Sequence, residues 1–179
     1  QFLGGPIKLE GGMRKLAPRS TEANPLIRIQ GQVTANGMRQ AKEIPALSMF
    51  AQHANGASNY TASLGFKGGQ SELSIQSQLQ GMAFNLPAPL HKKAEEQVAF
   101  KFENLVQGFS PTNPNKAQRD QLQMTWGRSL SASYLRDVSG PDPRIIQGRL
   151  QVGDNFATPA AILSDSGVSA SFNLPSFSI

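Results

Sequence analysis

The stretch "NYTASLGFKGGQSELSIQSQLQG", Asn59 to Gly81, alternates apolar and polar residues on both sides of a glycine pair. Tyr60, Ala62, Leu64 and Phe66 interleave with Thr61, Ser63, Gly65 and Lys67, and Leu73, Ile75 and Leu79 interleave with Ser74, Gln76, Gln78 and Gln80. A period of two places each set on one face of an extended strand. Between them "GFKGGQSE" reads as a hairpin turn, because it lacks the Gly-Lys-Ser/Thr and the following helix of a phosphate loop.

The same alternation recurs along the chain. Ile27, Ile29 and Val33 form one set; Val98, Phe100 and Phe102 another; then come Leu122, Met124 and Trp126, followed by Leu130, Ala132 and Tyr134. Ile146, Leu150 and Val152 oppose Gln147, Arg149 and Gln151, and a last strand carries Val168, Ala170, Phe172 and Leu174. This predicts a mainly β chain of about eight or nine one-faced strands in a curved, mostly antiparallel sheet. Short helices are expected over Met38 to Glu43 and Pro45 to Gln52, split at Pro45, which fits a first helical turn and not a helix interior. Three turn-rich stretches, Gly11 to Pro25, Ser110 to Asp120 and Val138 to Arg144, read as linkers. The strand pattern resumes after each, so residues 1–179 read as a single unit. Because it opens on Gln1 and closes on "NLPSFSI", that unit reads as a piece of a longer chain.

Composition excludes more than it selects. The chain has no cysteine, so disulfides, thiol nucleophiles and thiolate metal sites are all absent. Its two histidines, His53 and His91, have no carboxylate at ligand or triad spacing, and its twelve carboxylates are scattered through turns and helices. Neither an enzyme, a metal site nor a cofactor is expected. The net charge of +5 is spread over the chain without the interleaved basic and aromatic clusters of a nucleic-acid surface, so nucleic acid is not expected as a partner. No run approaches the roughly 20 apolar residues of a membrane-crossing helix.

Two local features need an explanation. An aliphatic-Gln-Gly triplet recurs at Ile29 to Gly31, Leu79 to Gly81 and Ile146 to Gly148, and glycines within strands mark bends. The strand ending near Gly81 runs into "FNLPAPL", Phe84 to Leu90, an apolar elbow where polar turn residues are usual. Leu86, Pro87, Pro89 and Leu90 form either a stiff rim at a sheet edge or a buried loop closing a core. Two short helices cover only part of the apolar surface. Periodicity therefore leaves open a sandwich or barrel, in which the sheet buries its own face, and a β-groove or half-barrel whose apolar face takes lipid. On the groove reading Ile29, Leu64, Phe66, Ile75, Leu79, Phe100, Met124, Leu150 and Phe172 face the lipid, and Gln30, Gln76, Gln78, Gln147 and Gln151 face away.

The sequence also resembles a family. "LGGP" at Leu3 to Pro6, the helix-Pro-helix region, "ELSIQSQLQGMAFNLPAPLHKKA" at Glu72 to Ala94, "WGRSLSA" at Trp126 to Ala132, "GRLQVG" at Gly148 to Gly153 and the Gly-Val strand at Gly167 follow in the order seen in YhdP-type proteins of the AsmA-like group. The run from Leu79 to Ala94 is the most specific element. The chain departs from the pattern at His91, often Gly in such proteins, and at Ala57-Ser58-Asn59, usually Leu-Ser-Gly. The resemblance implies a periplasmic segment of an inner-membrane-anchored envelope protein, one part of a bridge carrying phospholipid toward the outer membrane. Acyl chains would be its partners, and parts of the chain outside this segment would meet the membrane. The alternative is a structural or adaptor β-sandwich of the cell envelope that binds other envelope proteins.

Overall fold

The computed structural model describes residues 2–15, 23–42, 45–67, 70–107, 118–153 and 167–173, leaving aside the side chains at 14, 15, 23, 24, 45 and 46. These residues form ten strands and two short helices: β1 (Ile7–Lys15), β2 (Ala23–Thr34), α1 (Ala35–Gln40), α2 (Pro45–Ala51), β3 (Ala54–Lys67), β4 (Gln70–Ser77), β5 (Met82–Phe84), β6 (Phe100–Gln107), β7 (Arg119–Trp126), β8 (Leu130–Asp137), β9 (Arg144–Gly153) and β10 (Gly167–Asn173). They build one open, curved sheet in the order β1-β2-β3-β4-β6-β7-β8-β9-β10, with β5 attached to the first residues of β3. All neighbours are antiparallel except β9 and β10, which run parallel. Among the described residues the sheet neither closes on itself nor folds into a second layer; what lies on it is α1 and α2, against β2 and β3. The sandwich and the closed barrel are therefore not the architecture.

Most chains of this size hide a sheet's apolar face under another layer. Among the described residues a small cap takes that place, at one end. Its core is Ala35, Met38, Ala51, Ala54, Leu79, Met82 and Phe84, with Val33, Leu47, Leu86, Phe100 and Trp126 packed against it. Thr34 starts α1 as its N-cap, its Oγ1 accepting the Gly37 N–H at 2.9 Å. A Cβ at Gly37 would lie 2.0 Å from the backbone of Leu3, so a glycine is what lets the amino-terminal turn close on α1.

Several details differ from the sequence reading. Both described ends of the first linker are strand: Gly11 to Lys15 end β1 and Ala23 to Pro25 open β2, paired in continuous register, while residues 16–22 lie outside the described residues. The first helix begins three residues earlier than expected, at Ala35, and Glu43 lies outside the described residues, as do Leu174 and the second "FNLP" beyond Asn173. The alternation through Leu79 does not continue as strand. β4 stops at Ser77, whose Oγ accepts the Leu79 N–H at 3.0 Å, and the chain turns through positive φ at Leu79 and Gly81.

Candidate functional site: one apolar sheet face

Residues directly opposite in a ladder point to the same face, so the registers assign every strand residue to a side. One row runs Leu9, Ile29, Ala62, Ile75, Phe102, Met124, Ala132, Leu150 and Ala170, apolar on all nine paired strands. The row one residue away runs Lys8, Gln30, Thr61, Gln76, Lys101, Thr125, Ser131, Gln151 and Ser171, polar throughout. The apolar rows therefore cross the strands. Eight inter-strand steps of about 4.8 Å make a track of roughly 38 Å.

Among the described residues the track reaches both sheet edges without cover. Leu9 on β1 is 59% exposed and Phe172 on β10 is 65% exposed. A soluble sheet edge is usually blunted by charge or proline, so apolar side chains carried to the edge are unusual. Of the residues expected to face lipid, Ile29, Leu64, Phe66, Ile75, Phe100, Met124, Leu150 and Phe172 share this face. Leu79 does not: at 6% exposure it belongs to the core of the cap, past the end of β4. Gln30, Gln76, Gln147 and Gln151 lie on the opposite face, and Gln78 follows the strand end, where its carbonyl accepts the Val98 N–H.

Two glycines of the repeated triplet have a common role. Gly31 on β2 lies opposite Tyr60 on β3, and Gly148 on β9 lies opposite Tyr134 on β8. These are the two tyrosines of the chain. Their rings lie over the bare glycines: a Cβ at Gly31 would meet the Tyr60 ring at 3.0 Å, and one at Gly148 would meet the Tyr134 ring at 2.5 Å. A ring folded over a cross-strand glycine fills the space that missing side chains leave in a bent sheet. Burial raises the Tyr60 phenol above its usual pKa, and its hydroxyl has no partner among the described residues. Gly81, the third, is a turn glycine with its would-be Cβ 2.5 Å from the Ala57 carbonyl oxygen.

The elbow closes the cap. Phe84 and Lys92 exchange both backbone hydrogen bonds, at 2.8 and 3.1 Å, and the Leu90 N–H returns to the Pro87 carbonyl at 3.0 Å. Leu86 packs against the cap core, Pro89 and Leu90 are half-buried, and Pro87 is exposed. The Phe84 ring stands edge-on to Trp126 with centroids 4.6 Å apart, which fastens the cap to the apolar face at the β6–β7 end. Lys92 is buried to 1% exposure, and its ammonium donates to the Met82 and Lys93 carbonyls at 2.7 and 2.9 Å. Desolvation lowers its pKa from 10.5, against the opposing pull of Glu96 and Glu95.

The far end of the apolar face carries charge, a feature the sequence reading missed. Asp120 on β7 and Arg136 on β8 are direct partners in the row Val106, Asp120, Arg136, Ile145. The guanidinium grips the carboxylate through Nε at 2.8 Å and through Nη2. The Asp120 hydrogen bond is the main cause that raises the Arg136 pKa. No group of three potential metal ligands occurs among the described residues. On the polar face a hollow of about 120 Å³ is lined by Gln123, Thr125, Ser131 and Ser133, with Met124 and Ala132, around the Lys101–Glu103 ion pair (2.8 Å).

An open sheet with one apolar face, capped at one end and otherwise uncovered among the described residues, defines a groove-forming β-protein. The YhdP protein family matches residues 1–179, and the chain belongs to that family. No curated protein matches the chain, and no solved structure does.

Proposed function

We propose that this chain is a non-enzymatic segment of a periplasmic, AsmA-like bridge that carries phospholipid between the inner and outer membranes. Acyl chains lie on the apolar face, and regions outside this segment anchor the protein to the inner membrane. The observation that carries the reading is the pair of adjacent rows, one apolar and one polar across nine strands, with the apolar one left open among the described residues. Membership of the YhdP family supports it. An adaptor with a dry two-layer core fits poorly with a single open sheet.

The test is photocrosslinking in the full-length protein at neighbouring positions: Ile75 against Gln76, Met124 against Thr125, and Leu150 against Gln151. Lipid adducts are expected from the first member of each pair and not the second, because one residue along a strand reverses the side chain's face. Adducts from both members, or from neither, refute the groove.

A further inference from the structure

Within the face assigned to lipid, the described side chains carry one full negative and one full positive charge, and the two are locked together. Asp120 is 6% exposed and is gripped through Nε and Nη2 of Arg136, so the rest of the guanidinium is directed away from the carboxylate. Two residues along the strands, Asn104, Leu122 and Tyr134 form the next row, in which Asn104 Oδ1 is buried without a partner among the described residues. The pair sits toward the end of the strands opposite the cap, where the apolar rows stop. Outside it, Arg119, Asp137 and Arg144 form the last cross-strand row, on the other face, and Asp142 lies exposed in the following turn. Three guanidiniums and three carboxylates thus share the β7–β9 part of this rim, and Glu72 on β4 adds a carboxylate beside it that accepts the Val106 N–H at 3.2 Å.

From this arrangement we infer that the rim at Asp120 and Arg136 is a headgroup station for a zwitterionic phosphodiester lipid. The inference rests on the groove reading above and names the class of lipid. A phosphate accepts from the free edge of the guanidinium, the geometry in which arginine binds such oxygens best. An ammonium carried a few bonds away on the same headgroup lies over the Asp120 edge of the pair, where only 9% of that side chain stays exposed and both oxygens already accept from Arg136. An anionic headgroup without an ammonium meets the carboxylate unfavourably, and a neutral diacylglycerol leaves the pair's outer edge unused. The acyl chains then run from this rim onto the row of Phe102, Met124 and Ala132.

The experiment uses the full-length protein and lipids with identical acyl chains, presented in separate vesicle populations: phosphatidylethanolamine, phosphatidylglycerol and diacylglycerol. Uptake is read by mass spectrometry of the recovered protein. The wild type is expected to take phosphatidylethanolamine about tenfold better than the other two, the scale of one charge-assisted hydrogen bond. In the double variant Asp120→Asn with Arg136→Gln, which orphans no buried charge, all three lipids are expected to enter alike at the diacylglycerol level, with an unchanged thermal melt. Equal uptake by the wild type, or discrimination kept by the double variant, overturns the station. A wild type that takes up none of the three overturns the groove itself, which separates the two failures. Soluble glycerophosphoethanolamine supplies the other arm. Displacement of the lipid at equimolar concentration would mark a site for free headgroup and overturn the lipid assignment, whereas no displacement is expected.

Discussion

Replacing Gly31 by Ala adds one methyl group where a tyrosine ring already lies. The new Cβ would stand 2.9 Å from the Tyr60 hydroxyl oxygen and 3.0 Å from two ring carbons, closer than ordinary contacts of about 3.5–4 Å. The ring must move by about half an ångström or more, and Tyr60 is packed to 9% exposure, so it has little room. Overpacking of this kind costs about 1–3 kcal/mol. Gly11 on β1 shares the same face, yet a Cβ there would meet nothing within 4 Å. Gly11→Ala is therefore expected to stay within about 0.5 kcal/mol of the parent or to stabilise slightly through the unfolded chain. The assay is urea denaturation of Gly31→Ala, Tyr60→Ala, their double variant and Gly11→Ala. The double variant should fall short of the sum of the singles by about 1–2 kcal/mol, because removing the ring removes the clash. Additive singles, or equal costs at Gly31 and Gly11, would refute the claim that the ring over the glycine shapes the sheet.

Two further outcomes follow from the cap. Lys92 has its pKa lowered in the folded state, so the unfolded chain binds more protons between that value and 10.5 and stability rises with pH through this window. Urea titrations of the parent and of Lys92→Met across alkaline pH should show that the substitution removes this part of the slope; parallel curves would mean Lys92 is not held uncomfortably as a cation. Thr34→Ala removes the cap of α1 and should cost about 1 kcal/mol, with faster hydrogen exchange at the Gly37 amide. Unchanged exchange there would show that the helix start is held by tertiary packing instead.

How far the sequence disclosed this molecule depended on whether local pattern or register carried the information. β3 and β4 were plain because each turns one face to water, so alternation survives in their residues. β1 was hidden by its own composition: Gly11-Gly12 imitates a turn, and its strand character comes from pairing with Leu26 and Ile27. Leu79 kept the apolar alternation after the ladder had ended, since the cap core also demands an apolar side chain there. Thr34 could have been found as a cap from Thr-Ala-Asn-Gly at the helix start. Asp120 and Arg136 lay two residues beyond the alternating sets Leu122–Trp126 and Leu130–Tyr134, so extending each by one step places them on the apolar face. Their bond across sixteen residues of sequence needed the register.

The single parallel step between β9 and β10 changes the parity of the whole sheet. Counting strand directions across the order, β1 runs one way, β9 the other, and β10 keeps the direction of β9. The two outer edges therefore point in opposite directions. A copy of this sheet shifted sideways without rotation would meet its neighbour through β10 and β1 as an antiparallel pair, the stronger ladder. Had β10 been antiparallel to its neighbour, the same shift would have met strands of equal direction. The one parallel step thus leaves β1 and β10 with the opposite directions that an antiparallel ladder between successive units needs.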